Sequence, residues 1–194
     1  MLVIQIEVQQ FPIRCIGAYG PQEKDKIERK LKFWARLSKE VEEAYESDCA
    51  IVFQMDGNLW AGNDLIKGDP NECNNNGRLF KNFLQEHPYL CVVNSLALCE
   101  GIITRRRKCK AKTEEAVLDF FVVCGKIKCF IEKLIIDEKK EYPLTRYMKH
   151  GKKDSDRHTM IFHLQLNFIQ KNQSRIEMFN FKNLECQSNF YSIT

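Results

Sequence analysis

Ile4, Ile6 and Val8 alternate with Gln5 and Glu7, the period-two pattern of a half-buried strand. Residues 13–18 read as a second strand, closed by Tyr19-Gly20-Pro21. In the Lys- and Glu-rich stretch that follows, Ile27, Leu31, Trp34, Leu37, Val41 and Ala44 recur at three- and four-residue steps. That spacing predicts a long helix with one apolar face, and the stripe belongs to the core. Residues 49–55 (CAIVFQM) form a nearly continuous apolar run, suited to a strand buried on both faces, and end at Asp56-Gly57-Asn58. Residues 63–77, with Gly68, Pro70 and Asn74-Asn75-Asn76, have no period and read as a loop. A short helix over 78–86 and a strand near 91–95 follow. Residues 117–124 (VLDFFVVC) are a β-rich run carrying one charge, Asp119. Residues 160–168 alternate as a long strand directly after Ser155-Asp156-Arg157-His158. The reading is one domain over residues 1–169 and a tail over 170–194.

Composition narrows the class. A chain of 194 residues, 44% hydrophobic and 29% charged, has room for one domain and a real core, which excludes disordered and collagenous chains. No stretch approaches the ~18 uncharged apolar residues that span a bilayer. The N-terminus MLVIQIEVQQ has no basic leader region. An intracellular protein, nuclear or cytoplasmic, with no membrane partner is expected. The nine cysteines are odd in number, scattered and free of any CxxC pair, so reduced thiols are favoured over disulfides or zinc. Net charge is +4, but residues 101–160 hold 16 Lys and Arg against 9 Asp and Glu. The run Arg105-Arg106-Arg107-Lys108, with Lys110 and Lys112, suits a polyanion or is a solvated basic loop.

Candidate chemistry lies in three acidic residues at or beside strand ends: Asp56, Asp119 and Asp156. A buried lone carboxylate is costly, so acids so placed have a partner, a metal or a solvent-filled cleft. Oxygen donors without thiolate or imidazole partners favour Mg²⁺, which works on phosphate substrates. The same residues admit plainer readings. Tyr19-Gly20-Pro21 and Asp56-Gly57-Asn58 have the composition of turns, and Ser155-Asp156 that of a cap. Asp119 is harder to dismiss, because strands disfavour Asp.

Ala18-Tyr19-Gly20-Pro21, Met55-Asp56-Gly57-Asn58, Val117-Leu118-Asp119-Phe120-Phe121 and Ser155-Asp156, in this order, resemble the successive motifs of the endonuclease/exonuclease/phosphatase superfamily. The resemblance is strongest to the apurinic-endonuclease-like domains of non-LTR retrotransposons. Val93-Asn94-Ser95, Ile103-Thr104-Arg105-Arg106-Arg107 and Phe179-Asn180-Phe181-Lys182-Asn183 are similar to that subgroup as well. The resemblance implies an α/β (α+β) four-layer sandwich, two packed mixed β-sheets flanked by helices, with a Mg²⁺- or Mn²⁺-dependent phosphodiesterase site acting on DNA, or RNA. It also implies roles. Tyr19 would contact the scissile phosphate, and Asp56 would orient or deprotonate the attacking water. Asn58 would stabilise developing phosphate charge, Asp119 would orient an imidazole, and Asp156 would sit near the metal.

Two departures modify these expectations. Where the family has His after its Ser-Asp pair, this sequence has Arg157, with His158 one place later. A one-residue shift aims a side chain at the opposite face unless the backbone bulges, and Arg holds phosphate but cannot exchange a proton near neutrality. Strongly reduced or absent hydrolysis is expected, with His158 as a partial substitute. The family's early Asn and metal-binding Glu precede the Tyr-Gly-Pro strand, outside this sequence. The expectation is therefore the C-terminal part of such a domain, incomplete on its N-terminal side, holding metal weakly. Its partners would be a missing N-terminal segment or a downstream reverse transcriptase. The alternatives are a catalytically dead nucleic-acid-binding module using Arg105, Arg106, Arg107, Lys108 and Arg157, and a phosphatase or phospholipid phosphodiesterase of the same fold.

Overall fold

The computed structural model describes residues 1–8, 11–109, 112–148, 151–166 and 174–178. In chain order the first elements are β1 (Leu2–Val8), β2 (Phe11–Tyr19), α1 (Ile27–Glu46), β3 (Ala50–Asp56), α2 (Asn75–Glu86), β4 (Leu90–Val92) and β5 (Cys99–Glu100). Next come β6 (Arg105–Cys109), β7 (Lys112–Ala116), β8 (Asp119–Cys124), α3 (Gly125–Lys128) and β9 (Ile131–Ile136). The last are β10 (Thr145–Met148), β11 (Gly151–Asp154), β12 (Met160–Leu166) and β13 (Ser174–Met178).

Two mixed sheets carry the fold. The first has the order β1-β2-β3-β8-β4 and the second β13-β12-β9-β5. All seven residues of β3 are buried, as expected of a nearly continuous apolar run between two covered faces. One of those faces meets helices. Trp34 of α1 stacks on Phe80 of α2 at 5.8 Å, and Phe80 in turn lies 5.2 Å from Phe120 of β8. The apolar stripe of α1 supplies Trp34, Leu37, Val41 and Ala44 to this layer. The opposite face meets the second sheet, where Phe121 of β8 and Phe162 of β12 lie 5.0 Å apart. Because successive strand residues point to opposite faces, Asp119 lies on the same face as Phe121, between the sheets. Asp56 is its register partner and shares that face.

Several elements depart from the sequence reading. Asn74, read as loop, caps α2 by accepting from the Gly77 amide at 2.8 Å, so the helix starts three residues earlier than residue 78. The strand expected over 91–95 is β4 followed by a 3₁₀ turn, Val93–Ser95. The basic run is a strand of the β6–β7 hairpin rather than a loop. Strand β9 has no counterpart in the sequence reading: Glu132 and Lys133 break its apolar pattern, although Leu134 and Ile136 are buried. Ser174–Met178, within the segment read as a tail, pairs with β12 as β13. Lys110, Phe168 and Phe179-Asn180-Phe181-Lys182-Asn183 lie outside the described residues.

Candidate active site

Asp56 closes β3 and Asp119 opens β8, and the two are opposite each other in the antiparallel register. Directly opposed like charges destabilise a strand pair, and both side chains are almost fully buried, at 2% and 1% exposure. Arg157 resolves the conflict. Its Nη2 donates to Asp56 Oδ2 and its Nη1 to Asp119 Oδ2, both at 2.9 Å. The guanidinium fork, with its fixed donors and permanent charge, thus spans the two acids. Burial pushes the Asp119 carboxyl above the ordinary carboxylate range, and Arg157 opposes that shift. Asp119 Oδ1 is buried and makes no hydrogen bond among the described residues. The Thr104 hydroxyl beside it also opposes the shift, but is already engaged by the Leu118 and Asp119 amides.

The backbone places Arg157 there. Ahead of β12, Arg157 forms an isolated bridge with Arg105 at the start of β6. On either side of it, the Arg106 amide donates to Asp156 O and the His158 amide to Thr104 O, each at 2.8 Å. Alternation in this extended stretch sends Arg157 toward the acids and His158 away from them. His158 is buried, and its Nδ1 donates to Ile103 O at 2.7 Å. That bond fixes the proton on Nδ1 of the neutral ring. Burial, the largest cause, lowers the His158 pKa.

The third acid goes elsewhere. Asp156 Oδ2 pairs with Arg105 Nε at 3.1 Å, although the Asp156 charge still reaches Asp119. Asn58 takes up a left-handed conformation, with φ 46°. Its carboxamide donates to Gly20 O at 2.9 Å, joining the loop after β3 to the loop after β2. A Cβ on Gly20 would fall 2.5 Å from Gly57 O, so these loops approach as closely as glycine permits. Tyr19 pairs in register with Asp56 and is 54% exposed.

The basic run divides. Arg105 and Arg106 are tied to Asp156, Glu115 and Glu138, whereas Arg107 and Lys108 are exposed. Sequence reasoning missed the groups that hold Asp119 in place. Asn94 donates to Asp119 O and accepts from the Phe121 amide, and Thr104 Oγ1 accepts from the Asp119 amide. Their signal lay in Val93-Asn94-Ser95 and Ile103-Thr104-Arg105, which carry the resemblance without revealing what either polar side chain binds.

These residues do not fit a divalent cation as they stand. Asp56 Oδ2 and Asp119 Oδ2 already bind a fixed cation, and Asp156 is paired with Arg105. Among the described residues no group of three His, Cys, Asp or Glu side chains could hold a metal ion.

A scan against protein-family models finds no match, and neither does a search of curated proteins. Solved structures do match. The endonuclease domain of TRAS1, a telomere-specific non-LTR retrotransposon, aligns with TM-score 0.58 and 17% identity, over 86% of this chain and 64% of that one. The 3′ phosphatase NExo from Neisseria, bound to product DNA hairpin, aligns with TM-score 0.57 and 14% identity, over 84% of this chain and 64% of that one. The 3′-5′ exonuclease NExo from Neisseria meningitidis aligns with TM-score 0.54 and 13% identity, over 80% of this chain and 62% of that one. The fold is that of the endonuclease/exonuclease/phosphatase superfamily. This chain spans less than two thirds of the length of each of these three proteins.

Proposed function

We propose that this chain is a DNA-directed phosphodiesterase-type domain whose own hydrolysis is strongly reduced, because Arg157 stands between its two buried carboxylates. The fold supports the class, since the similar structures include a retrotransposon endonuclease domain and a 3′ phosphatase bound to a DNA hairpin product. One observation carries the reduced activity: the paired 2.9 Å contacts from Arg157 to Asp56 and Asp119. A general base must be able to accept a proton from water. A carboxylate held by a guanidinium is a weaker base, and the guanidinium itself releases no proton near neutrality. Arg157 also has no free fork to offer a phosphate while it spans the acids. Phosphate contact therefore falls to Arg107, Lys108 and Lys112 of the β6–β7 hairpin, which are exposed.

The test has two arms. Binding of a labelled DNA duplex is measured by fluorescence anisotropy across a salt series, and nicking of supercoiled plasmid is followed in Mg²⁺ and in Mn²⁺. The expected result is binding that falls steeply with salt, and nicking no faster than that of the Asp56→Ala/Asp119→Ala variant. Wild-type nicking that these substitutions abolish would overturn the reduced activity. Salt-independent or absent binding would overturn the DNA reading.

A further inference from the structure

Among the described residues four aromatic side chains are exposed, Tyr19, Tyr45, Trp60 and Tyr142, and of these Tyr19, at the end of β2, and Trp60 lie at the site. The chain has two tryptophans; Trp34 is 7% exposed, packed among Phe33, Phe80 and Phe83, whereas Trp60 is 43% exposed. Trp60 stands four positions after Asp56, on the loop that leaves β3 at the site. Its backbone is fixed. The Trp60 amide donates to Asn74 Oδ1 at 3.2 Å, and the Asn74 amide donates to Trp60 O at 3.1 Å.

The neighbouring loop is held by the same set of asparagines. Asn76 Nδ2 donates to Pro21 O at 2.8 Å and to Asn58 O at 3.1 Å, while Asn58 Nδ2 donates to Gly20 O. Tyr19 opens that loop and is also exposed. Beside it is a hollow of about 350 Å³ whose lining includes Tyr19, Pro21, Lys24, Asp25, Arg29 and Phe33, at the small end of the range for ligand pockets. The Arg29 side chain is 74% exposed and pairs with Asp25 at 3.4 Å, while Lys24 is exposed. Exposed rings on braced loops, with cations alongside, are the components of a platform on which unpaired bases stack while their phosphates are neutralised.

We propose that Trp60, with Tyr19, stacks unpaired nucleobases of a single-stranded segment running past the Asp56 end of the sheet. The inference rests on the nucleic-acid reading above and adds base contact to phosphate contact. Holding the loops rigid lowers the ordering cost of binding, and no base sequence is read, because every base has a stacking face. Strand state is the discriminant: a base inside a duplex is already stacked on its neighbours.

Trp60 supplies its own reporter, with Trp34 as the buried internal reference. The test titrates the full chain with single-stranded oligo-dT and with an abasic deoxyribose-phosphate oligomer of equal length, reading tryptophan emission and anisotropy. Oligo-dT should quench the exposed tryptophan and the abasic oligomer should not. Trp60→Ala should weaken oligo-dT binding roughly 5- to 150-fold, the span of one lost base stack, with little change toward the abasic oligomer. Trp60→Phe should recover most of the loss. Equal binding of the two oligomers, or undiminished oligo-dT binding by Trp60→Ala, would overturn stacking and leave the phosphate reading standing. Absence of binding to both would overturn this inference, and the duplex titration described above decides the nucleic-acid reading separately.

Discussion

Replacing Arg157 with Leu deletes the cation between two buried carboxylates and keeps roughly the bulk of the side-chain stem. Asp56 and Asp119 would then face each other at 2% and 1% side-chain exposure without the guanidinium between them. Removing one partner of a buried ion pair typically costs about 3–5 kcal/mol, because an uncompensated charge remains. In a protein of this size each kcal/mol lowers Tm by about 2–4 °C, so a fall on the order of 6–20 °C is expected at pH 7. The deficit should depend on pH. Asp119 is raised in the native state by burial and held back by Arg157. Its native form therefore binds a proton more tightly than the unfolded chain does. The corresponding stabilisation is complete below the ordinary carboxylate range and is lost as pH rises through the native value. Deleting Arg157 removes the opposing cause and enlarges that loss, so the gap between variant and wild type should be widest near neutrality and narrow on acidification. Thermal and urea denaturation from pH 7 down to pH 4 measure it. Adding Asp119→Asn to Arg157→Leu should recover part of the loss at pH 7. With the guanidinium gone, Mn²⁺ should raise the Tm of Arg157→Leu and leave the wild type unchanged. A deficit under about 1 kcal/mol at pH 7, or one independent of pH, would refute the buried bridge.

The hairpin cations should separate by their partners. Arg107→Ala and Lys108→Ala should each reduce the salt slope of DNA binding by about 1. Arg106→Ala should change it less, because Arg106 is already paired with Glu115 and Glu138; equal slopes across the three variants would contradict this. His158 gives a second pH signature. Burial holds its native pKa below the ordinary 6.5, so stability should fall as pH drops below that value, where the unfolded chain takes up the proton first. His158→Gln should flatten this limb in denaturation curves recorded from pH 7.5 to pH 5.5.

Much of the frame was legible in the chain itself. The three- and four-residue steps from Ile27 to Ala44 are α1, and the nearly continuous apolar run before Asp56 is β3 with both faces covered. Local periodicity records which face of an element meets the core, so it survives without knowledge of the partner. The acids could also be picked out, because a carboxylate at the end of a buried strand is anomalous on its own. What they bind could not. Arg157 lies 101 and 38 positions away from Asp56 and Asp119, and only the packing of the two sheets closes those separations. The same packing sends Asp156 to Arg105, turns His158 onto Ile103, and sets two glutamates of β7 against the basic run. A side chain's charge is fixed by its residue type, but its partner is chosen by tertiary geometry. Here that choice placed a guanidinium between the two acids.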